Sequence, residues 1–241
     1  MNYNFKTKEL AWKHLINKEI GEYKRFIKDD NLPSFNMIFS HNTNEKPNYS
    51  MKVDMYKRPS NLYINSAFMI DKNFNYRSTL FHEFTHLWDS ENLLLDKDPK
   101  VKSSSLCFFT EFHASHIQSL YIMGCNSIDN YENANLNNLF NTTNSNIKLI
   151  EEYQHKYNST KLIEDYFGLI NSYMYYFGNI TAKNAISNGN EDIQHFENIF
   201  DETLHLYYTA LKYNIIDDRI LDASYGTTEL LEALLRHDGG R

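Results

Sequence analysis

Two histidines and a glutamate lie close together in residues 78–88, which read S-T-L-F-H-E-F-T-H-L-W. Each residue of an α-helix advances by about 100°, so with His82 at 0° the side chain of His86 falls at roughly 40° and that of Glu83 at roughly 100°. The apolar residues of the stretch fall on the opposite side of the helix: Leu80, Phe84, Leu87 and Trp88. We predict that one face of this helix enters a core and that the polar face lines a cleft.

These side chains could hold a divalent cation and activate water. Neutral imidazole binds Zn²⁺ well, and a catalytic zinc site uses three protein ligands together with a water molecule. The metal lowers the pKa of that water toward neutrality, and a carboxylate beside the metal can accept its proton. We therefore predict that His82 and His86 are zinc ligands and that Glu83 is a general base. The competing interpretation is that two surface or core histidines flank a glutamate and bind no metal.

A third ligand has to come from another segment, and the helix predicted over residues 103–123 offers Glu111, His113 and His116. With Glu111 at 0°, His113 and His116 lie near 200° and 140°, so the three cannot all serve. The Glu111 side also carries two small residues, Ala114 and Ser115, which would let this helix approach the motif helix closely. We predict Glu111 as the third ligand, and His113 or His116 is the alternative.

Composition and charge narrow the fold and the partners. The 241 residues are 41% hydrophobic and 23% charged, and the scarcity of Gly (8) and Pro (4) favours long helices over a turn-rich β fold. The net charge of −7 and the lack of a basic block predict no nucleic-acid partner. No stretch is typical of a signal peptide or a membrane span, and Cys107 and Cys125 form no disulfide framework. We expect a soluble cytoplasmic protein that does not bind membranes, and its oligomeric state stays open.

Hydrophobic periodicity predicts an α+β protein with one domain over residues 1–241. A helix over residues 7–28 and a small sheet belong to residues 1–75, the zinc-site helices to residues 76–125, and a helical region to residues 126–241. The strands are predicted at residues 35–40, 50–56 and 61–68.

Capping residues and helical spacing set the remaining boundaries. Asn75 or Ser78 could cap the motif helix, and Gly124 ends the helix that carries Glu111. The asparagine-rich stretch 126–146 is predicted to be a loop or partly ordered. Further helices are predicted at residues 147–157, 161–176, 194–213 and 227–236.

H-E-F-T-H at residues 82–86 and E-F-H-A-S-H-I at residues 111–117 resemble the zinc motifs of zincin-like metallopeptidases of the gluzincin type. Within that group the chain is most similar to small bacterial and phage-associated IrrE-like proteases. These place a ligand glutamate at the head of an E-x-x-A-x-x-hydrophobic helix, which Glu111, Ala114 and Ile117 match. The resemblance covers roughly residues 60–125. It implies a zincin-like fold and a zinc peptidase in which the two motif histidines and Glu111 hold Zn²⁺ and Glu83 is the base.

The chain departs from the thermolysin-like pattern at one position, and it does not match the metzincin pattern. Ser115 stands where thermolysin-like members usually have an aspartate, so the hydrogen-bonding support of the ligand histidines is not identified by the motif. A metzincin would need Gly and His where Asp89 and Asn92 stand.

A peptidase of this kind also needs a donor for the oxyanion that forms on the attacked carbonyl. Tyr173, Tyr175 and Tyr176 are one source and His155 is another, although each tyrosine could equally be a core residue. The leading hypothesis is a zinc metallopeptidase acting on a peptide or protein. The alternatives are a non-catalytic peptide- or protein-binding protein on a zincin scaffold and an interaction protein in which the motif histidines are merely polar. The intact Glu83 favours the enzyme, because a structural metal needs no base.

Overall fold

A computed structural model of the chain describes residues 2–40, 51–54, 59–65, 75–93, 98–187 and 226. The helices in this part of the chain are Asn2–Ile27 (α1), Tyr76–Asn92 (α2), Pro99–Ile122 (α3), Phe140–Thr160 (α4) and Ile163–Ile186 (α5), with a short 3₁₀ helix at Leu136–Leu139. The strands are Phe35–Ser40 (β1), Met51–Asp54 (β2) and Ser60–Asn65 (β3). The predicted α+β class is confirmed, and the helices predicted at 194–213 and 227–236 lie outside the described residues.

The three strands form one sheet in the order β1–β3–β2. β1 runs parallel to β3, with Phe35 opposite Ser60, and β2 runs antiparallel to β3, with Met51 opposite Ile64. β3 is therefore the central strand, and its residues Leu62 and Ile64 are fully buried. β2 lies at an edge of the sheet and contacts α2, which brings a strand edge to the helix that carries the motif.

Two hydrophobic cores share α3. One core packs α3 against α4 and α5 and includes Phe108, Ile150 and Met174. The other packs α1, the sheet and α2 against the later part of α3 and includes Phe84 and Leu120. Each large apolar side chain that is fully buried stabilises the fold by about 1.5–3 kcal/mol relative to exposure. α3 is thus held from both sides, which fixes its position between α2 and α5.

The motif helix begins after one of the predicted caps and α3 ends at the predicted glycine, but α3 begins at Pro99, four residues before its predicted start at residue 103. Asn75 caps α2, because its side chain accepts a hydrogen bond from the backbone N–H of Ser78. α3 ends in a Schellman motif: Gly124 has a φ of +86° and donates to Tyr121, and Cys125 donates to Leu120. No helix in the described ranges is both long enough and apolar enough to cross a membrane.

The prediction of a loop over residues 126–146 is wrong for the last part of this stretch, because the 3₁₀ helix occupies Leu136–Leu139 and α4 begins at Phe140. Asn and Thr disfavour a helix by only about 0.7 kcal/mol each, so packing against a neighbour easily overrides their preference. α4 buries Thr143 and Ile150, two turns apart, and Ile150 joins the core that α4 shares with α5. The abundance of asparagine obscured this apolar stripe.

Candidate metal centre

His82 and His86 on α2 and Glu111 on α3 bring three potential ligand atoms together, all within 4.8 Å of one another. Glu111 Oε2 lies 3.4 Å from His82 Nε2 and 3.7 Å from His86 Nε2. Ligand atoms at about 2.0–2.2 Å from one tetrahedral zinc ion are roughly 3.3–3.6 Å apart, so these separations fit a shared ion. A His-His-Glu group that could bind a metal ion is therefore present.

One of the three potential ligand atoms, Glu111 Oε2, is buried and lacks a hydrogen-bond partner among the described residues. Its 3.4 Å separation from His82 Nε2 is longer than an ordinary N–H···O hydrogen bond. A buried carboxylate oxygen without a donor is costly in free energy unless an ion satisfies it. The donor set, two imidazoles and one carboxylate, fits a metal ion of the zinc type.

The face of α2 that was predicted to line a cleft is largely covered. His82, Glu83 and His86 are only 7%, 6% and 6% exposed, whereas the Glu111 side chain is 24% exposed. The opposite face behaves as the sequence predicts: Leu80, Phe84 and Leu87 are fully buried. α2 is thus buried on both faces, and Glu111 is the most exposed of the three potential ligands.

His86 is oriented by a hydrogen-bonded network between α2 and α3. Its Nδ1 lies 2.8 Å from the Thr110 hydroxyl, which donates to Asp89 Oδ2 over 2.7 Å. His113 Nδ1 lies 2.8 Å from the other oxygen of Asp89. Burial lowers the pKa of His86 to about 4, so its imidazole is neutral near pH 7 and able to bind a metal.

His82 and Glu111 are held by Tyr175 of α5. The ring of Tyr175 stacks on that of His82, with centroids 5.6 Å apart and an angle of 22° between the planes. Its hydroxyl donates a hydrogen bond to the Glu111 carboxylate. Burial lowers the pKa of His82, but the nearby carboxylates more than offset that effect and the pKa lies above its usual value. Burial raises the pKa of Glu111, but the two histidines and the Tyr175 hydrogen bond bring it down to about 2.

Glu83 lies beside this group and has the properties of a base that works near neutral pH. Burial raises its pKa from 4.5 to about 7; the charge of His82 lowers the pKa, and that of Glu111 raises it further. A backbone hydrogen bond from Val53 of β2 stabilises the ionised form. Glu83 therefore connects the motif helix with the edge strand of the sheet.

A close helix contact places Tyr175. A Cβ atom on Gly178 of α5 would lie 2.6 Å from Ser115 Cβ and 2.7 Å from the Phe112 carbonyl oxygen, distances that real Cβ atoms do not show. Ser115 also donates to the backbone carbonyl of Tyr175, and Asn179 donates to Ser119. The small residue at 115 thus brings α3 close to α5, whereas the sequence predicted that it would bring α3 close to α2.

The structure separates the other candidates from the site. His113 binds Asp89, and His116 Nδ1 lies 2.9 Å from the hydroxyl of Thr181 on α5, so neither belongs to the His-His-Glu group. Tyr173 and Tyr176 are buried in the core between α3, α4 and α5, and Cys107 packs against that core. His155 is exposed on α4.

Sequence analysis did not identify Asp89 and Thr110 and did not distinguish Tyr175 from its neighbours. The spacing held part of the signal, because Asp89 follows His86 by three residues and so lies one helical turn away. The contact of Thr110 with His86 depends on how α3 packs against α2, which the spacing does not contain.

Comparisons with protein-family models, with curated proteins and with solved structures found no match. The function is therefore argued from the site, since a fold alone does not determine an activity. The site offers three convergent ligand atoms, a carboxylate with a raised pKa and a tyrosine hydroxyl at one of the ligands.

Proposed function

We propose that the protein is a zinc-dependent metallopeptidase with a zincin-like arrangement of its site. The observation that carries this proposal is the convergence of His82 Nε2, His86 Nε2 and Glu111 Oε2 at separations suited to one ion. Two neutral imidazoles and a carboxylate form the donor set of thermolysin-type catalytic zinc sites, in which a fourth position remains for water. The sequence order H-E-x-x-H followed by a glutamate on a second helix supports the same assignment.

Zinc bound at this site would polarise a substrate carbonyl and make a water molecule acidic enough to lose a proton near pH 7. Glu83 accepts that proton, because its carboxyl group lies beside the proposed ligands and the Val53 N–H stabilises its ionised form. Glu83 then gives the proton to the amine that leaves. The Val53 N–H holds the Glu83 side chain in place during both transfers.

The substrate in this proposal is an extended peptide that lies between β2 and α2. β2 is an edge strand, and its Val53 N–H is directed at Glu83. A strand edge offers backbone donors and acceptors that an extended peptide can use, while pockets for alternate side chains supply specificity. A peptide bound there would carry its scissile bond past the proposed base.

Tyr175 is the best candidate for the oxyanion donor among the residues that the sequence suggested. Its hydroxyl already contacts Glu111, whereas Tyr173 and Tyr176 are core residues. Burial raises the pKa of Tyr175 well above its usual value, so the phenol keeps its proton and can donate it in a hydrogen bond.

Two measurements test the proposal. Elemental analysis of protein purified with added zinc should find about one zinc per chain, as expected for a single three-ligand site. Incubation with a diverse peptide library, followed by mass spectrometry, should show cleavage by the wild type and none by Glu83→Gln with zinc retained. Glu151→Gln, a matched change at an exposed residue of α4, should cleave normally. Absence of zinc would end the proposal, and full activity of Glu83→Gln would remove Glu83 from the role of base.

A second candidate function is peptide or protein binding with a structural metal. The low exposure of His82, Glu83 and His86 favours it, because a substrate has to reach these groups. This alternative expects zinc at the same three ligands but no cleavage of any library peptide. It also expects Glu83→Gln to bind the same peptides as the wild type.

A further inference from the structure

His86 is linked to the protein interior by a continuous chain of hydrogen bonds that the proposed reaction does not use. The chain runs from His86 Nδ1 to the Thr110 hydroxyl (2.8 Å), to Asp89 (2.7 Å) and on to His113 Nδ1 (2.8 Å). Asp89 and Thr110 are both fully buried. These short contacts cross three times between α2 and α3, so they fix the relative position of the two helices that supply the ligands.

The direction of these hydrogen bonds follows from the hydrogens available. A hydroxyl has one hydrogen, and Thr110 gives it to Asp89, since an ionised carboxylate can only accept. Thr110 can therefore only accept from His86, which places the proton of the neutral imidazole on Nδ1. The lone pair then lies on Nε2, the atom that faces Glu111 Oε2 at 3.7 Å.

We propose that Asp89 and Thr110 are positioning residues that fix the tautomer and ring orientation of His86 for metal binding, an inference that rests on the proposed zinc centre. Ligand histidines usually donate their second N–H to a carboxylate or carbonyl, and loss of such a partner weakens metal binding about 10- to 100-fold. Here the carboxylate belongs to the motif helix itself and acts through a hydroxyl on the neighbouring helix. Ser115, which stands at the position of the expected supporting aspartate, instead donates to the backbone of Tyr175.

His82 provides an internal comparison. No hydroxyl or carboxylate of the described residues supports its Nδ1, and its ring is held by stacking on Tyr175 and by the backbone carbonyl of Ala114. The two histidines are thus positioned in different ways. Removing the Thr110 hydroxyl should change the tautomer of His86 and leave that of His82 unaffected.

The test reads the tautomer in metal-free protein, where the ¹⁵N chemical shifts of the two ring nitrogens show which one carries hydrogen. His86 of the wild type should show a single Nδ1–H form. Thr110→Val, which removes the hydroxyl at nearly constant shape, should show a mixture, and Thr110→Ser should restore the single form. Zinc affinity, measured by competition with a chelator, should fall about 10- to 100-fold in Thr110→Val and recover in Thr110→Ser.

Thr85→Val is the matched control. Thr85 is as fully buried as Thr110 and precedes His86 directly, but its hydroxyl contacts Tyr23 and the Phe81 carbonyl. Its loss should reduce stability without changing the His86 tautomer or the zinc affinity. Asp89→Leu, which removes the acceptor of the Thr110 hydrogen bond, serves as a second variant should Thr110→Val fail to fold, and it should shift tautomer and affinity in the same direction.

The outcomes separate this inference from the proposed function. If the wild type binds zinc and the folded Thr110→Val or Asp89→Leu variant keeps both the tautomer and the affinity, the positioning role is wrong and the zinc centre stands. Equal loss of affinity in Thr85→Val and Thr110→Val would also overturn the positioning role. A wild type that binds no zinc overturns the zinc centre and, with it, the role proposed for the hydrogen-bonded chain.

Discussion

Replacing Glu83 by glutamine should stabilise the metal-free protein relative to the wild type, and the advantage should grow with pH. Burial raises the pKa of Glu83 from 4.5 to about 7 in the folded state. Between pH 4.5 and about 7, Glu83 keeps its proton in the folded protein but has lost it in the unfolded chain. The wild type therefore becomes less stable as the pH rises through this window. At about 1.36 kcal/mol per pH unit, the total loss is about 3 kcal/mol. Glutamine cannot ionise and can still accept the hydrogen bond from Val53.

Urea denaturation of chelator-treated protein at about pH 5 and about pH 8 measures this effect, and most of the change falls between these two values. Taking the difference between wild type and variant at each pH cancels the contributions of groups that the substitution leaves unchanged. Glu151→Gln, at an exposed site on α4, should show no such pH dependence. A difference between wild type and Glu83→Gln that stays constant with pH would refute the reasoning that Glu83 is buried with a raised pKa.

Three other changes have defined outcomes. Zinc at about 100 times its dissociation constant should raise the free energy of unfolding by about 2.7 kcal/mol, as measured by urea titration. Glu111→Gln should lose most of that gain. An equal gain in the variant would exclude Glu111 as a ligand. Gly178→Ala should cost about 1–3 kcal/mol through its clash with α3, whereas Gly21→Ala, which meets no atom within 4 Å, should gain about 0.5–1 kcal/mol in the same assay. Tyr175→Phe should lower kcat about 100-fold or more with zinc retained, and a loss of zinc with unchanged kcat in the loaded enzyme would instead limit Tyr175 to holding Glu111.

Local pattern was sufficient to predict the elements that carry the site. β1 spans the predicted residues 35–40, and the motif helix begins at Tyr76, directly after Asn75, one of the two caps considered. The angular positions also placed Glu111 on a different side of its helix from His113 and His116, because positions on one helix are fixed by the 3.6-residue repeat. The preference for Glu111 came from Ala114 and Ser115, although Ser115 packs against α5 and not α2. Such inferences succeed where the answer depends on residues within a few turns of one another.

The remaining features of the site depend on how helices pack, which periodicity does not specify. Thr110 supports His86 only because α3 crosses α2 at that residue. Tyr175 lies on the side of α5 that faces Glu111, whereas Tyr173 and Tyr176 lie in the core. The close contact of α5 with α3 at Gly178 determines which side of α5 faces Glu111. All three of these tyrosines are aromatic residues on one helix, so composition alone could not separate them.

The distribution of charge in the site gives a physical reason for a cation at this position. Glu83 and Glu111 both lie beside His82, and both carboxylates raise the pKa of that histidine. Burial raises the pKa of Glu83, whereas the two histidines lower the pKa of Glu111. Burying two carboxyl groups next to His86, whose lowered pKa keeps its imidazole neutral near pH 7, costs free energy that hydrogen bonds alone offset poorly. A divalent ion between His82, His86 and Glu111 would supply the missing positive charge and would hold Glu83 ionised, as a base requires. The same groups that destabilise the metal-free fold are therefore those that would bind the metal and use it.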